Sequence, residues 1–249
     1  MAESVSFDRV AEVYDESRGG LARGRRMARD IAEWLVPGTV CEIGVGTGSV
    51  ASGLTALGHH VVGVDISPAM LAQAYQRIGP RVVVGDALRL PFGDTTASNA
   101  VFVHVLHLVG DLAAAVVEAA RVLRPGGRLL ALHGIRDADP DELTRATAPV
   151  DRLRFARPDS YQAVRDAATA AGLAPVYGDW SAPVVTEETP ARLADKYADR
   201  IFSWMWRVDD ATWHREVEPV IAALRALPEP HRPRRQTFRV RVSVFDKPG

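Results

Sequence analysis

The sequence has few of the features that mark secreted, membrane-spanning or nucleic-acid-binding proteins. Its single cysteine, Cys41, excludes an intramolecular disulfide and argues against a cysteine-based metal site. There is no run of about 18 apolar residues, so we expect no membrane span. The first residues lack the basic and apolar regions of a secretory signal. The net charge of −1 creates no overall attraction to nucleic acid or anionic lipid. We therefore predict a cytoplasmic protein without nucleic-acid or membrane partners.

Lysine is nearly absent, because only Lys196 and Lys247 occur, and arginine supplies the other basic residues. Clusters of arginine can bind the phosphates of nucleic acid, or they can be solvated surface. Because the whole chain is near neutral, we interpret both clusters in this sequence as solvated surface. The first comprises Arg23, Arg25, Arg26 and Arg29, and the second comprises Arg232, Arg234 and Arg235.

The stretch from Thr39 to Val50 is typical of a buried strand, a glycine turn and the start of a helix. Three glycines at alternate positions, Gly44, Gly46 and Gly48, let the backbone turn sharply and approach a ligand closely. Strand–turn–helix units of this kind bind adenosine-containing cofactors at the carboxyl end of the strand. The stretch therefore predicts a nucleotide-type site.

The spacing of the glycines and one carboxylate distinguish between two classes of cofactor. The dinucleotide fingerprint is G-x-G-x-x-G, whereas this chain has G-x-G-x-G, with Ser49 at the third dinucleotide position. Glu42, two residues before the first glycine, would repel a pyrophosphate and attract a cation such as an ammonium group. S-adenosylmethionine carries an ammonium, a sulfonium and no phosphate. The pattern E-I-G-x-G-T-G resembles motif I of the class I S-adenosylmethionine-dependent methyltransferases.

Two further acids follow predicted strands at spacings that fit this resemblance. Asp65 ends a strand roughly 20 residues past the glycines, where an acid accepts hydrogen bonds from ribose hydroxyls, although it could also cap the next helix. The run G-V-D-I-S-P-x-M-L resembles the segment after motif I, and it implies that Ile66 and Met70 flank the adenine. By the same resemblance Asp86 and Ala87, in G-D-A, bind the adenine edge; otherwise Asp86 is a turn residue.

The fourth and fifth predicted strands carry the remaining motifs. Residues 99–104 form one strand, and the resemblance assigns Val103, near its end, to the cofactor site. The family usually has an acid where Asn99 stands and often a histidine where Leu108 stands, so these positions depart from its pattern. The segment R-V-L-R-P-G-G-x-L, between a helix and the strand over 128–133, is similar to motif III.

The alternation of strands and helices predicts an α/β fold. The resemblance is to methyltransferase type 11 and to the ubiquinone- and menaquinone-biosynthesis methyltransferases. It implies a Rossmann-like, seven-stranded, mostly parallel sheet with strand 7 antiparallel and helices on both faces. We expect a single domain over 1–249, with an N-terminal helical lid (1–36), a cofactor-binding core (37–135) and helical cap segments over the active site (136–171 and 181–230). Strands 6 and 7 are expected at 172–180 and 236–246.

Aromatic side chains occur in both the lid and the cap. The segment F-D-x-x-A-x-x-Y-D is similar to the lid of many small-molecule methyltransferases, which implies that Tyr14 closes over the cofactor; alternatively Tyr14 packs between helices. The second cap segment holds Tyr197, Phe202, Trp204, Trp206 and Trp213. These aromatics either pack on the core or line a pocket for the acceptor.

Three histidines, His104, His107 and His133, lie at or just past the ends of central strands. Each is a candidate general base, needed only if the acceptor carries a proton of high pKa, and each could equally be structural. No metal site is expected. Asp137, Asp139, Asp141 and Glu142 could hold Mg²⁺, but they are typical of a solvated helix start.

The resemblance thus implies methyl transfer from S-adenosylmethionine to an O, N or C atom of a small-molecule acceptor, with S-adenosylhomocysteine as the other product. An NAD(P)-dependent oxidoreductase and a non-catalytic protein that binds the same cofactor remain as alternatives. The oligomeric state is left open, with a dimer as one alternative.

Overall fold

The computed structural model describes residues 4, 6–8, 11–154 and 158–249, with the side chains of 135 and 136 excepted. The chain groups into two compact units. The first comprises residues 1–134, 158–180 and 241–249, and the second comprises residues 135–157 and 181–240. The division into a lid, a core and cap segments stays a prediction, although residues 158–171 group with the first unit.

The sheet has the strand order β3-β2-β1-β4-β5-β8-β6, and β7 pairs with β8 beside this path. Strand β1 pairs in parallel with β2 and with β4. Strand β2 also pairs in parallel with β3, and β4 pairs in parallel with β5. Strand β8 is antiparallel to β6 and to β7. The strands are β1 Val40–Ile43, β2 Val61–Asp65, β3 Val82–Val84, β4 Ala97–Val103, β5 Leu123–Ala138, β6 Ala174–Trp180, β7 Val184–Glu188 and β8 Arg234–Asp246.

The predicted Rossmann-like α/β fold is confirmed, but the described residues form a sheet of eight strands rather than seven. The additional strand is β7, whose residues V-V-T-E-E alternate over too short a run to stand out in the sequence. Strand β5 is also longer than predicted, because it runs from 123 to 138 rather than from 128 to 133.

The helices of the first unit form two groups. Helix α2 packs on α3, which packs on α4, while α5 packs on α8. The helical structure predicted for the N-terminal segment is present as α1 and α2. The bounds are α1 Ala11–Arg18, α2 Gly20–Ala32, α3 Ser49–Ala56, α4 Pro68–Ile78, α5 Leu112–Val122 and α8 Tyr161–Ala170.

Asn99, which replaces the acid usual in the family, is fully buried at the amino end of β4. Its Oδ1 accepts a hydrogen bond from the Val36 amide, and its Nδ2 donates one to the Val36 carbonyl, both at 2.9 Å. A carboxylate could accept the first bond but could not donate the second. The asparagine therefore fixes the chain that enters β1.

The second unit has its own core, which is helical and rich in aromatic side chains. Tyr197 and Trp213 are buried in this core. For these two aromatic residues, the structure therefore agrees with packing on a core and not with lining an acceptor pocket. Phe202, Trp204 and Trp206 are partly buried against it. Its helices are α6 Glu142–Thr147, α7 Asp151–Arg154, α9 Pro190–Ala198, α10 Asp210–Thr212 and α11 Glu218–Arg225, with 3-10 turns at Ala148–Val150 and Ser203–Arg207 and a π turn at Trp213–Val217. Within the described ranges, none of the helices is long and apolar enough to span a bilayer.

Candidate active site

A cavity that is partly open to solvent lies at the carboxyl ends of β1, β2 and β4 in the first unit. Ten of the residues that the sequence assigned to the site line this cavity. They are Tyr14, Gly44, Gly46, Asp65, Ile66, Met70, Asp86, Ala87, Val103 and His104. Glu42, Gly48, His107 and His133 do not line it.

The three glycines of the loop have positive φ angles for different reasons of packing. A Cβ on Gly44 would lie 2.4 Å from Cγ2 of Val105, so a side chain there would displace the segment after β4. A Cβ on Gly48 would lie 3.0 Å from Ala74 in α4. At Gly46 nothing lies within 4 Å of such a Cβ. Gly46 therefore presents its backbone to the open cavity, whereas Gly48 allows close helix packing.

Asp65 connects the glycine loop to the end of β2. One carboxylate oxygen accepts a hydrogen bond from the Gly46 amide at 2.8 Å, and the other accepts one from the Ser67 amide at 2.9 Å. Burial raises the pKa of this carboxyl group, and these amide hydrogen bonds oppose the rise. Ser67 in turn caps α4 by accepting from the Met70 amide, so the position of Asp65 at the cavity is well determined.

Glu42 lies in β1, two residues before Gly44, and only 2% of its surface is exposed. Its Oε2 has no hydrogen-bond partner among the described residues. Burial raises the pKa of Glu42 to about 8, and the negative charge of Asp65 adds to the rise. A buried carboxyl group of this kind is costly to ionise unless a cation binds beside it.

The described part of the N-terminal segment bonds to the same edge of the sheet. Ser4 donates to Asp86 at 3.2 Å, and Asp8 accepts from the Ser67 hydroxyl at 2.5 Å. The hydrogen bond from Ser67 holds the pKa of Asp8 below its usual value. Tyr14 contacts Phe7 edge to face, with ring centroids 5.7 Å apart, and both rings line the cavity. Closure of this segment as a lid stays a prediction.

Asp15 connects α1 to the glycine loop and to α4, a role that the sequence did not indicate. Its carboxylate accepts a hydrogen bond from the Thr47 hydroxyl at 2.7 Å and pairs with the guanidinium of Arg77. Arg77 also donates to the Thr47 carbonyl at 2.8 Å. These contacts join residues that are far apart in the sequence, and no local pattern announces them.

The three candidate histidines have different surroundings. His104 lines the cavity and has a left-handed backbone, with φ 54°. His107 is partly buried, with Nδ1 at 3.8 Å from a carboxylate oxygen of Asp159. His133 is fully buried, and its two ring nitrogens lie 3.0 Å from the Asp159 carbonyl and 2.8 Å from the Ser243 hydroxyl. Asp159 was not predicted as a site residue from the sequence. It lies in no motif and directly precedes the N-cap of α8, where an acidic turn residue is common.

The four acids considered for Mg²⁺ lie in the second unit. Asp141 accepts from the Thr144 amide as the N-cap of α6, and Glu142 pairs with Arg234. In the part of the chain that the structure describes, there is no group of three or more histidine, cysteine or acidic side chains arranged to hold a metal.

Comparisons with known proteins agree with the fold and with the position of the loop. A family model described as "Methyltransferase domain" matches residues 41–131. The demethylmenaquinone methyltransferase of Mycobacterium tuberculosis is 36% identical over 168 residues, which cover 63% of this chain and 71% of that protein. The enzyme of the same name from Corynebacterium kroppenstedtii is 34% identical over 167 residues, which cover 62% and 72%.

Among solved structures, a geranyl diphosphate methyltransferase in complex with geranyl diphosphate and sinefungin is similar in fold. Its TM-score is 0.54 at 19% identity, and the match covers 89% of this chain and 77% of that one. The fold is that of a Rossmann-like α/β protein with a cavity at the carboxyl edge of the sheet. The chain belongs to the class I S-adenosylmethionine-dependent methyltransferases. Its cofactor is therefore S-adenosylmethionine, and it is an enzyme.

Proposed function

We propose that the cavity of the first unit holds S-adenosylmethionine with its methionine end at the glycine loop. Glu42 would face the ammonium group, and Gly44, Gly46 and Gly48 would give the backbone room at the methionine end. Asp65 would accept hydrogen bonds from the ribose. The adenine would lie among Ile66, Met70, Asp86 and Ala87, with Tyr14 and Val103 completing the cavity.

The observation that carries this proposal is the buried Oε2 of Glu42, which has no hydrogen-bond partner among the described residues. An isolated buried carboxylate is strongly disfavoured, and a cation beside it removes the cost. The ammonium group of the methionine end is such a cation. A dinucleotide would bring its pyrophosphate to the same loop, where a nearby anion would keep Glu42 protonated and no ion pair with it could form.

The bound cofactor supplies an already activated methyl group, so the protein mainly aligns the acceptor for in-line displacement and excludes water. In well-aligned systems proximity alone contributes about 7–11 kcal/mol. Apolar side chains on the β4 side of the cavity, Val103, Val105, Leu108 and Val109, support the exclusion of water.

The acceptor is a small molecule, and we propose one with a flat, largely apolar ring system. The relatives named demethylmenaquinone methyltransferases support this class, because their name indicates a quinone-type acceptor. The four apolar side chains at β4 are also compatible with such a ring. We further propose that the protein works in the cytoplasm without a nucleic-acid partner, and cell fractionation with an antibody would test its location.

Where the acceptor carries a proton of high pKa, we propose His107 as the general base. A carboxylate near an imidazole favours the imidazolium that a base forms when it takes a proton, and the Asp159 carboxylate lies 3.8 Å from Nδ1 of His107. His104 is the alternative, because it lines the cavity. His133 is the least suited of the three, since both of its nitrogens have polar neighbours in the interior.

A turnover assay tests the proposal directly. The purified protein is incubated with S-adenosylmethionine and a panel of quinones, phenols and amines, and S-adenosylhomocysteine is measured by chromatography. We expect product only with an acceptor present, and we expect a quinone or phenol to be best. S-adenosylhomocysteine binding without turnover on any acceptor would favour the non-catalytic alternative. Binding of NADH in place of S-adenosylhomocysteine would favour the oxidoreductase.

A further inference from the structure

Three arginines of the N-terminal helices, Arg18, Arg23 and Arg26, form a cluster of positive charge that we call the arginine cluster. Burial lowers the pKa of Arg18 and of Arg23, and the charges of Arg18 and Arg26 lower that of Arg23 further. Arg25 and Arg29 on the same helix are exposed, as predicted from the sequence for all four arginines of this helix. Arg23 and Arg26 are partly buried instead, so the interpretation as solvated surface is wrong for these two.

Within the described part of the chain, no carboxylate lies within 4 Å of the Arg23 or Arg26 guanidinium. Burial raises the pKa of Asp30, one turn along α2, and the charge of Arg26 opposes that rise. The Nε of Arg26 is buried and has no hydrogen-bond partner among the described residues. A guanidinium remains charged at any working pH, so like charges held together at partly buried positions favour a bound anion.

The position of the cluster relates it to the cofactor cavity. The guanidinium carbon of Arg18 lies 5.7 Å from the centroid of the Tyr14 ring, and Tyr14 lines the cavity. Gly24 lies against the first residue of α3, because a Cβ on Gly24 would be 2.3 Å from the Ser49 carbonyl oxygen. Ser49 directly follows the glycine loop. Arg23 therefore lies where α2 meets the loop end of the cavity.

We propose that Arg23 and Arg26 form an anion-binding site that takes a carboxylate at the loop end of the cofactor cavity. The planar fork of a guanidinium matches a carboxylate with two parallel hydrogen bonds. Two sources offer this chemistry: the α-carboxylate of the cofactor's amino-acid end, and an acidic group on the acceptor. The inference rests on the proposed cofactor site, where Glu42 supplies the opposite charge for a zwitterionic ligand.

Calorimetry with two ligands tests the first source. Wild type, Arg23→Gln and Arg23→Lys are titrated with S-adenosylhomocysteine and with its decarboxylated analogue, and Arg25→Gln is the exposed control on the same helix. If the cofactor is the source, Arg23→Gln weakens S-adenosylhomocysteine binding about 10- to 100-fold and leaves the analogue unchanged. Arg23→Lys keeps the charge but not the fork, so its loss is smaller.

Titration with simple anions tests the second source. Each protein, saturated with S-adenosylhomocysteine, is titrated with benzoate and with inorganic phosphate. If the acceptor is the source, wild type binds one of these anions and Arg23→Gln loses that binding, while cofactor affinity stays the same. The proposal is overturned if Arg23→Gln behaves like Arg25→Gln with every probe, or if it weakens both cofactor ligands equally without affecting the anions.

Folding is monitored by thermal melting in the same series. Arg23→Gln removes a desolvated charge that has no described ion partner, so we expect it to melt at or above the wild-type temperature. If Arg23→Gln fails to fold, Arg23→Lys is compared with wild type and with Arg25→Gln instead. Failure of wild type to bind S-adenosylhomocysteine would contradict the proposed function, and anion titration of the free protein would still test the arginine cluster.

Discussion

Glu42 holds a proton in the free protein at neutral pH, because burial and the charge of Asp65 raise its pKa to about 8 from an ordinary 4.5. An unfolded chain releases that proton near 4.5. The contribution of Glu42 to stability is therefore fully present below pH 4.5 and is lost as the pH rises to about 8. A cation bound beside Glu42 favours the carboxylate, so cofactor binding should lower this pKa.

We therefore expect S-adenosylhomocysteine binding to release up to one proton at pH 7 and to tighten as the pH rises from 6 to 8. Calorimetry in two buffers of different ionisation enthalpy measures the proton release. The neutral variant Glu42→Gln should bind more weakly and release no proton from this site. An observed enthalpy that is independent of the buffer in wild type would contradict the role given to Glu42.

Asp159 is fully buried, and its carboxylate accepts a hydrogen bond from the Gly134 amide while it lies 3.8 Å from His107. In Asp159→Asn the amide oxygen can still accept from Gly134, but the negative charge near His107 is lost. We expect turnover to fall about 10-fold or more and the acidic limb of its pH profile to move to lower pH.

The matched control is Asp166→Asn on α8, where the exposed carboxylate accepts a hydrogen bond from Gln162. Its rates and pH profile should equal those of wild type. If Asp159→Asn lost activity with an unchanged profile, Asp159 would have only a structural role. Equal activity of Asp159→Asn and wild type would remove His107 as the proposed base.

At the scale of elements, the contact between α2 and α3 depends on a glycine. A Cβ at position 24 would meet the Ser49 carbonyl oxygen at 2.3 Å, a contact that only backbone movement can relieve. Alanine gains about 1 kcal/mol over glycine in a helix, whereas overpacking costs typically about 1–3 kcal/mol. Because the obstacle is backbone, we expect Gly24→Ala to lose about 1–2 kcal/mol net.

Thermal melting measures this loss as a decrease of roughly 2–8 °C. The control Gly93→Ala places its Cβ no closer than 3.6 Å to any neighbour, so its melting temperature should be unchanged. A Gly24→Ala protein that melts at or above the wild-type temperature would mean that the two helices can separate at little cost.

The elements that the sequence predicted are those whose signals are local. Strands β1, β2 and β4 are apolar runs buried on both faces, and α4 begins with the cap of Ser67 and a proline. Strand β7 was missed because alternate residues are exposed over only five positions. The burial of Arg23 and Arg26 was missed because the face that a helix buries depends on its partner, here α3.

At the scale of the whole molecule, a bound ligand adds stability by mass action. S-adenosylhomocysteine at about 100 times its Kd should stabilise the protein by about 2.7 kcal/mol. For a chain of this size, that corresponds to an increase in melting temperature of roughly 5–10 °C. NADH at the same concentration should produce no increase. Differential scanning fluorimetry measures both, and an increase with NADH alone would contradict the cofactor assignment.

As with the fold, the residues of the candidate site that have a local sequence signal were predicted, and those that act through long-range contacts were not. The sequence located the cavity-lining residues on the glycine loop and at the ends of β2 and β4, since strand ends in a parallel sheet share one edge. It could not find Asp15 or Asp159, because each acts across a separation of 32 residues or more, on Thr47 and on His107. Such pairs are decided by tertiary packing, for which a single sequence carries no periodic signal.

Strand β8 contributes residues to both units: residues 234–238 pair with β7 in the second unit, and residues 241–246 pair with β6 in the first. During synthesis on the ribosome, the pairing with β7 needs residues 234–238 and the pairing with β6 needs residues 241–246, so both form only after the chain has been synthesised past Arg234. A nascent chain arrested before Arg234 would leave the edges of β6 and β7 without their partner strand. We expect such truncated chains to be captured by chaperones or degraded, and not to accumulate as half-folded protein.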